Sequence, residues 1–119
     1  MNVENLAKGL TYKGEADGKR RTYYVFEGTD IYFIMSFKGP ERAVGNFDVV
    51  DRAQVEYVQK HFAGKAGVTA QAVFDQAHTV RHFTSKFDAL RILYILVALG
   101  EARVDRRFTE QKSLVFNIK

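Results

Sequence analysis

The stretch Ser85–Gly100, SKFDALRILYILVALG, holds the longest unbroken apolar run of the chain, Ile92–Leu99, between two helix punctuation marks. Ser85 offers an N-cap hydroxyl, Asp88 three residues on can close a capping box, and Gly100 can take the left-handed turn that ends a helix. At about 100° per residue, Phe87, Leu90, Leu93, Tyr94 and Val97 form one stripe, while Ile92, Ile95, Leu96 and Leu99 fall on other sides. The charged residues Lys86, Asp88 and Arg91 all lie in the first two turns. The C-terminal half is therefore expected to be surrounded by protein, and the other elements to pack around it.

Downstream, EARVDRRF and SLVFNIK are β-like runs separated by Thr109–Lys112, which predicts a C-terminal hairpin. Upstream, Thr69 starts TAQAVFDQAHTV, whose Ala70, Val73, Phe74 and Ala77 make an apolar side and whose end is expected near His78. Before it, Asp51 caps DRAQVEYVQKHFAG, with the stripe Ala53, Val55, Val58 and Phe62 and a terminating Gly64. These two segments and the Ser85 segment give three helices.

The N-terminal half has another character. RTYYVFE, then Gly28-Thr29-Asp30, then IYFIMSFK read as two strands around a turn, and NFDVV after the proline-containing KGPERAVG can add a third. Both strands of the hairpin are apolar on both faces. One face is expected to meet the helices and the other to meet something else. Residues 1–20 carry Gly9, Gly14 and Gly18 and a short Val3, Leu6, Leu10 pattern that fits one helical turn or an edge strand; this segment is expected to be loosely ordered.

The fold class is thus α+β: an N-terminal antiparallel hairpin or meander over 21–50, three helices, and a C-terminal β-hairpin. The 119 residues, 46% apolar and 13% aromatic, suit one domain over 1–119. Leu90, Leu93, Tyr94, Val97, Phe74, Val58 and Phe26 are expected to be buried together. The absence of cysteine excludes disulfides and thiolate chemistry and is compatible with a cytoplasmic location. With no continuous apolar segment at the N-terminus and no run near membrane-spanning length, a soluble, unprocessed chain without membrane association is expected.

Net charge is +4, and its distribution is uneven: residues 1–64 hold nine Lys/Arg against nine Asp/Glu, residues 65–119 nine against five. A basic C-terminal half favours polyanionic partners through phosphate neutralisation. A charge of this size also lies within the ordinary solubility range of a small domain.

The order of three helices and a basic two-stranded hairpin from Asp51 onward resembles a winged-helix domain. SKFDALRILYILVALGEARV is similar to the third helix of that family running into the first wing strand. The resemblance implies DNA binding by the start of the third helix and by the wing. Carried onto this chain, Lys86 and Arg91 would face bases or phosphate, and Arg103, Arg106, Arg107 and Lys112 would make the wing contacts. The connection between the second and third helices is longer than a tight helix-turn-helix, and the N-terminal hairpin lies outside the family pattern.

Other constellations have plainer explanations. Asp75, His78 and His82 share a helical face only if the second helix continues past Thr79 and Val80, and they lack a fourth ligand, so no metal site is expected. Asp105 with Glu110 and Lys112 has the residue types of a metal-dependent nuclease but falls across a hairpin tip. Glycine spacing fits no phosphate loop, and Ser36, Ser85 and Ser113 are each explained by strand or cap. No enzymatic activity and no cofactor are expected.

Two functional expectations remain. One is nucleic-acid binding, DNA above all, through Arg81, Lys86, Arg91, Arg103, Arg106, Arg107 and Lys112. The other is a homodimeric interaction or assembly protein whose aromatic N-terminal sheet is the contact surface, with Tyr23, Tyr24, Tyr32 and Ile34 as interface residues. A stacking platform for single-stranded bases, built from Tyr23, Tyr24, Tyr32, Phe33 and Phe47 beside Lys19-Arg20-Arg21, is a further use of the same aromatics.

Overall fold

The architecture follows from a computed structural model that describes residues 10–18, 21–38, 44–81, 83, 85–105 and 114–119, with side chains at 37, 38, 44, 45 and 78–81 left aside. Four strands form one antiparallel meander in chain order: β1 (Thr11–Asp17), β2 (Thr22–Glu27), β3 (Ile31–Lys38) and β4 (Val44–Asp51). Three helices follow, α1 (Arg52–His61), α2 (Ala70–Arg81) and α3 (Lys86–Ala98), and then a two-stranded antiparallel ladder of β5 (Ala102–Val104) with β6 (Phe116–Ile118). The expected α+β class, with meander, three helices and C-terminal hairpin, is the one observed. The tip of that hairpin lies outside the described residues.

The helix α3 is built as its sequence dictates. Ser85 Oγ accepts from Phe87 N–H at 3.2 Å while Asp88 Oδ2 accepts from Ser85 N–H at 3.3 Å, the reciprocal box that satisfies two orphan donors. At the other end Gly100, at φ +78°, donates to Val97 O, and Glu101 donates to Leu96 O at 2.8 Å. This 5→2 and 6→1 pair is a Schellman closure, which needs a residue without a Cβ penalty at Gly100. Ile92 through Leu96 are all buried, as the absence of charge beyond Arg91 required.

In α1, Asp51 has the extended backbone of an N-cap but makes no side-chain cap bond. Val55, Val58 and Phe62 are buried, whereas Ala53 faces solvent: the inward stripe begins at Val55 and not at Ala53. In α2, Thr69 Oγ1 accepts from Ala72 N–H at 3.2 Å, and Ala70, Val73 and Ala77 are buried. That helix runs to Arg81 and not merely to His78, because nothing between them breaks the backbone ladder.

Residues 11–17, part of the segment expected to be loosely ordered, form the edge strand β1. Its register with β2 shifts between Tyr12 and Gly14, which pair with Phe26 and Val25. The bulge lets Gly14 and Ala16 both face the helices. Gly14, at φ +144°, lies so close to α3 that a Cβ there would stand 2.5 Å from Ala98 O. Small residues on this strand are what allow the C-terminal end of the helix to rest on its backbone.

Register then decides the faces of the sheet. Tyr23 pairs with Ser36, Val25 with Ile34 and Glu27 with Tyr32 across β2 and β3; Ser36, Ile34 and Tyr32 pair in turn with Asn46, Asp48 and Val50. This is the inner face, and Ala16, Val25, Tyr32, Ile34 and Val50 join the helices' Val55, Val58, Val73, Ile92 and Leu93 and the C-terminal strand's Phe116 in a single core. Leu93, Tyr94 and Val58 are buried there as expected, and Leu90, Val97 and Phe74 pack against it partly exposed. Phe26 does not join them. It lies on the opposite face, beside Tyr12 at 5.4 Å between ring centroids, because the inward residues of β2 are Tyr23 and Val25.

Candidate functional site

The outer face of the sheet carries Tyr12, Tyr24, Phe26, Phe33, Met35, Phe47 and Val49, placed there by the same register. None of these belongs to the core cluster or packs against it. Tyr12 is 50% exposed, Phe47 44% and Val49 57%. Met35, in register between Tyr24 on β2 and Phe47 on β4, is nearly covered by comparison. The arrangement is an apolar patch with two residues on each of β2, β3 and β4 and Tyr12 on β1, richer in aromatic rings than an ordinary solvated sheet face. Charge is sparse on it and mainly acidic at the margins, where Glu15 accepts a hydrogen bond from the Tyr12 hydroxyl at 3.2 Å. That bond and partial desolvation keep the Tyr12 phenol above its ordinary pKa, desolvation being the larger cause.

The residues expected at an interface divide between the two faces. Tyr32 and Ile34, 6% and 2% exposed, lie in the core and are not available to a partner. Tyr32 lies inside because Glu27 and Val50 are its register partners on the helix side; burial pushes its phenol up, and the Arg52 guanidinium 5.2 Å from the ring centroid partly offsets this. Tyr23 also points inward, stacked on Tyr94. Tyr24 alone of the four stands on the outer side. The stacking platform is split in the same way: Tyr24, Phe33 and Phe47 share the outer face, Tyr23 and Tyr32 do not, and Lys19 and Arg20 lie outside the described residues.

The basic set is dispersed. Lys86 is exposed at the start of α3, its Nζ 5.9 Å from the Phe87 ring centroid, and Arg103 is exposed in the middle of β5. Arg91 is engaged internally: its Nε lies 3.0 Å from Asp48 Oδ2 and its Nη1 2.9 Å from Asp88 Oδ1. A guanidinium bound to two carboxylates ties α3 to β4 and presents little net charge to a polyanion. Arg106, Arg107 and Lys112 lie outside the described residues, and so does the side chain of Arg81.

The acidic and histidine constellations fall largely outside the described residues. His82, Glu110 and Lys112 lie outside the described residues, as does the side chain of His78. Asp75 accepts from Gln71 at 2.9 Å on the surface of α2, and Asp105 is buried, accepting from Asn117 Nδ2 at 3.2 Å across the C-terminal ladder. No cluster of three potential metal ligands occurs among the described residues. None of the described helices is long and apolar enough to cross a membrane.

The sequence pattern left the outer face undefined because both sides of β2 and β3 are apolar; only the pairing register separates Tyr23 from Tyr24. No family model, no curated protein and no solved structure matches the chain.

Proposed function

We propose that the chain is a non-enzymatic assembly module that pairs with a second copy of itself through the outer face of its four-stranded sheet. The observation that supports this most strongly is the exclusion of Tyr12, Phe26, Phe33, Phe47 and Val49 from the core, combined with the exposure of Tyr12, Phe47 and Val49. Apolar area left in water on a folded domain is stabilised by docking at roughly 25 cal/mol per Å². A two-fold axis through the patch would bring it against its own copy, the commonest way such a face is covered. Aromatic rings held rigidly on strands lose little entropy on contact and make good anchors. Light scattering of the chain and of a Val49→Lys variant tests the proposal: the wild type should have the mass of a dimer and the variant that of a monomer. A cytoplasmic location, compatible with a chain free of cysteine, belongs to this proposal.

A second function is favoured by the exposed Lys86 and Arg103 and by the excess of positive charge after residue 65. Nucleic-acid binding, by the start of α3 and the C-terminal hairpin in the manner of a winged helix, is compatible with dimerisation through the far side of the sheet. It is tested by the salt dependence of binding to a mixed duplex library.

A further inference from the structure

The polar and apolar halves of α3 meet the sheet differently. Beside its first two turns the helix leaves a wedge of about 360 Å³ against the sheet, lined on the helix side by Phe87, Leu90, Arg91 and Tyr94. These four positions follow the i, i+3, i+4, i+7 spacing of one helical stripe. The sheet side explains the gap: where Val25 and Ile34 fill the interior further along, this end of the inner face carries Arg21, Ser36 and Asn46, which cannot pack as a hydrophobic layer.

The two guanidiniums of the wedge are unequally paired. Arg91 is matched by Asp48 and Asp88. Arg21 is not: among the described residues its guanidinium has one partner, the Ser36 hydroxyl, which accepts from Nη1 at a long 3.5 Å. Ser36 is itself 3% exposed, a buried hydroxyl held at the back of the wedge. A planar five-donor cation with no carboxylate partner among the described residues, backed by the Ser36 hydroxyl and set near aromatic rings, is suited to a carboxylate joined to an apolar body.

We propose that this wedge is a binding site for a small aromatic monocarboxylate, with the carboxylate on Arg21 and Ser36 and the ring between Phe87 and Tyr23. Phe87, 57% exposed at the mouth, stands outside the core cluster of described residues and can close over a ring. The volume is at the lower end of small-molecule sites, which limits the ligand to one ring and a short chain. Apart from Phe47, which also belongs to the outer sheet face, the lining residues come from the inner side of the sheet and from α3.

The test is a titration of the full-length chain with 3-phenylpropionate, its neutral analogue 3-phenylpropionamide, and acetate, followed by backbone amide chemical shifts. The acid should perturb residues around Arg21, Ser36 and Phe87 and bind about tenfold or more tightly than the amide, the margin expected for a charge-assisted pair. Arg21→Gln should abolish that preference, and Phe87→Ser should weaken the acid while leaving the spectrum of the fold intact. Failure of the acid to bind at millimolar concentration, equal binding of acid and amide, or acetate binding as tightly as the aromatic acid would each overturn the assignment. So would an Arg21→Gln protein that keeps its fold and the preference for the acid.

Discussion

Tyr94 of α3 stacks on Tyr23 of β2 with ring centroids 4.4 Å apart and planes 19° from parallel, and this pair marks where the core ends and the polar wedge begins. Burial, with the neighbouring Tyr23 adding to it, pushes the Tyr94 phenol up to about 12. An acid whose pKa is raised by folding keeps its contribution while it is neutral in both states. As pH rises past the ordinary tyrosine value of about 10, the unfolded chain ionises first and stability falls, by roughly 1.4 kcal/mol per pH unit until the folded value is reached. Chemical denaturation across that window should show the decline in the wild type and a shallower one in Tyr94→Phe.

Leu93 is fully buried at the centre of the core, between the sheet and the other helices. Leu93→Ala should cost about 2–5 kcal/mol in denaturant melts. A loss below about half a kcal/mol would mean that the site had collapsed without a cavity, contrary to its packing.

Gly14→Ala should be costly for a different reason. The new methyl would meet Ala98 O at 2.5 Å and would demand φ +144° of an L residue. Neither α3 nor β1 can retreat cheaply, so a loss of roughly 2–4 kcal/mol is expected from clash and strain together. The readout is the midpoint of urea unfolding, with Ala16, a neighbour that already carries a methyl inward, showing that the face itself accepts one.

These elements differ in how far the sequence foretells them. The ends of α3 are legible because capping chemistry is local: Ser85, Asp88 and Gly100 act within a few residues of one another. The strand β1 is obscure because its sequence, TYKGEAD, has no apolar alternation. Its inward residues are Gly14 and Ala16, chosen for closeness to a helix more than eighty positions away, and propensity carries no such information. Sequence alone places Phe26 in the core and Tyr23, Tyr32 and Ile34 at an interface for a related reason. When both faces of a strand are apolar, period two leaves the choice of face to register, and register comes from pairing. The wedge draws Arg21, Ser36 and Asn46 from three separate segments, so no linear motif announces it.

For nucleic acid, the described basic residues lead to unequal expectations. Replacing Lys86 and Arg103 together by glutamine should lower the slope of log affinity against log salt by up to about two. Arg91→Gln should change that slope little, since Asp48 and Asp88 already occupy its guanidinium. It should instead cost stability modestly, on the order of 1 kcal/mol for partly exposed pairs. Fluorescence anisotropy with a labelled duplex measures the first effect and a denaturant melt the second; absence of binding at low salt would remove this function altogether.

The central claim is that the outer sheet face of one chain covers that of another. Val49 offers the cleanest handle, since it is 57% exposed in the chain and takes no part in the core. Multi-angle light scattering at micromolar concentration should give twice the chain mass of 13.6 kDa for the wild type. Val49→Lys should return the mass to that of a single chain with its unfolding midpoint little changed. A wild-type mass of 13.6 kDa at every concentration would contradict the claim, as would a dimer that Val49→Lys and Tyr24→Glu both leave intact.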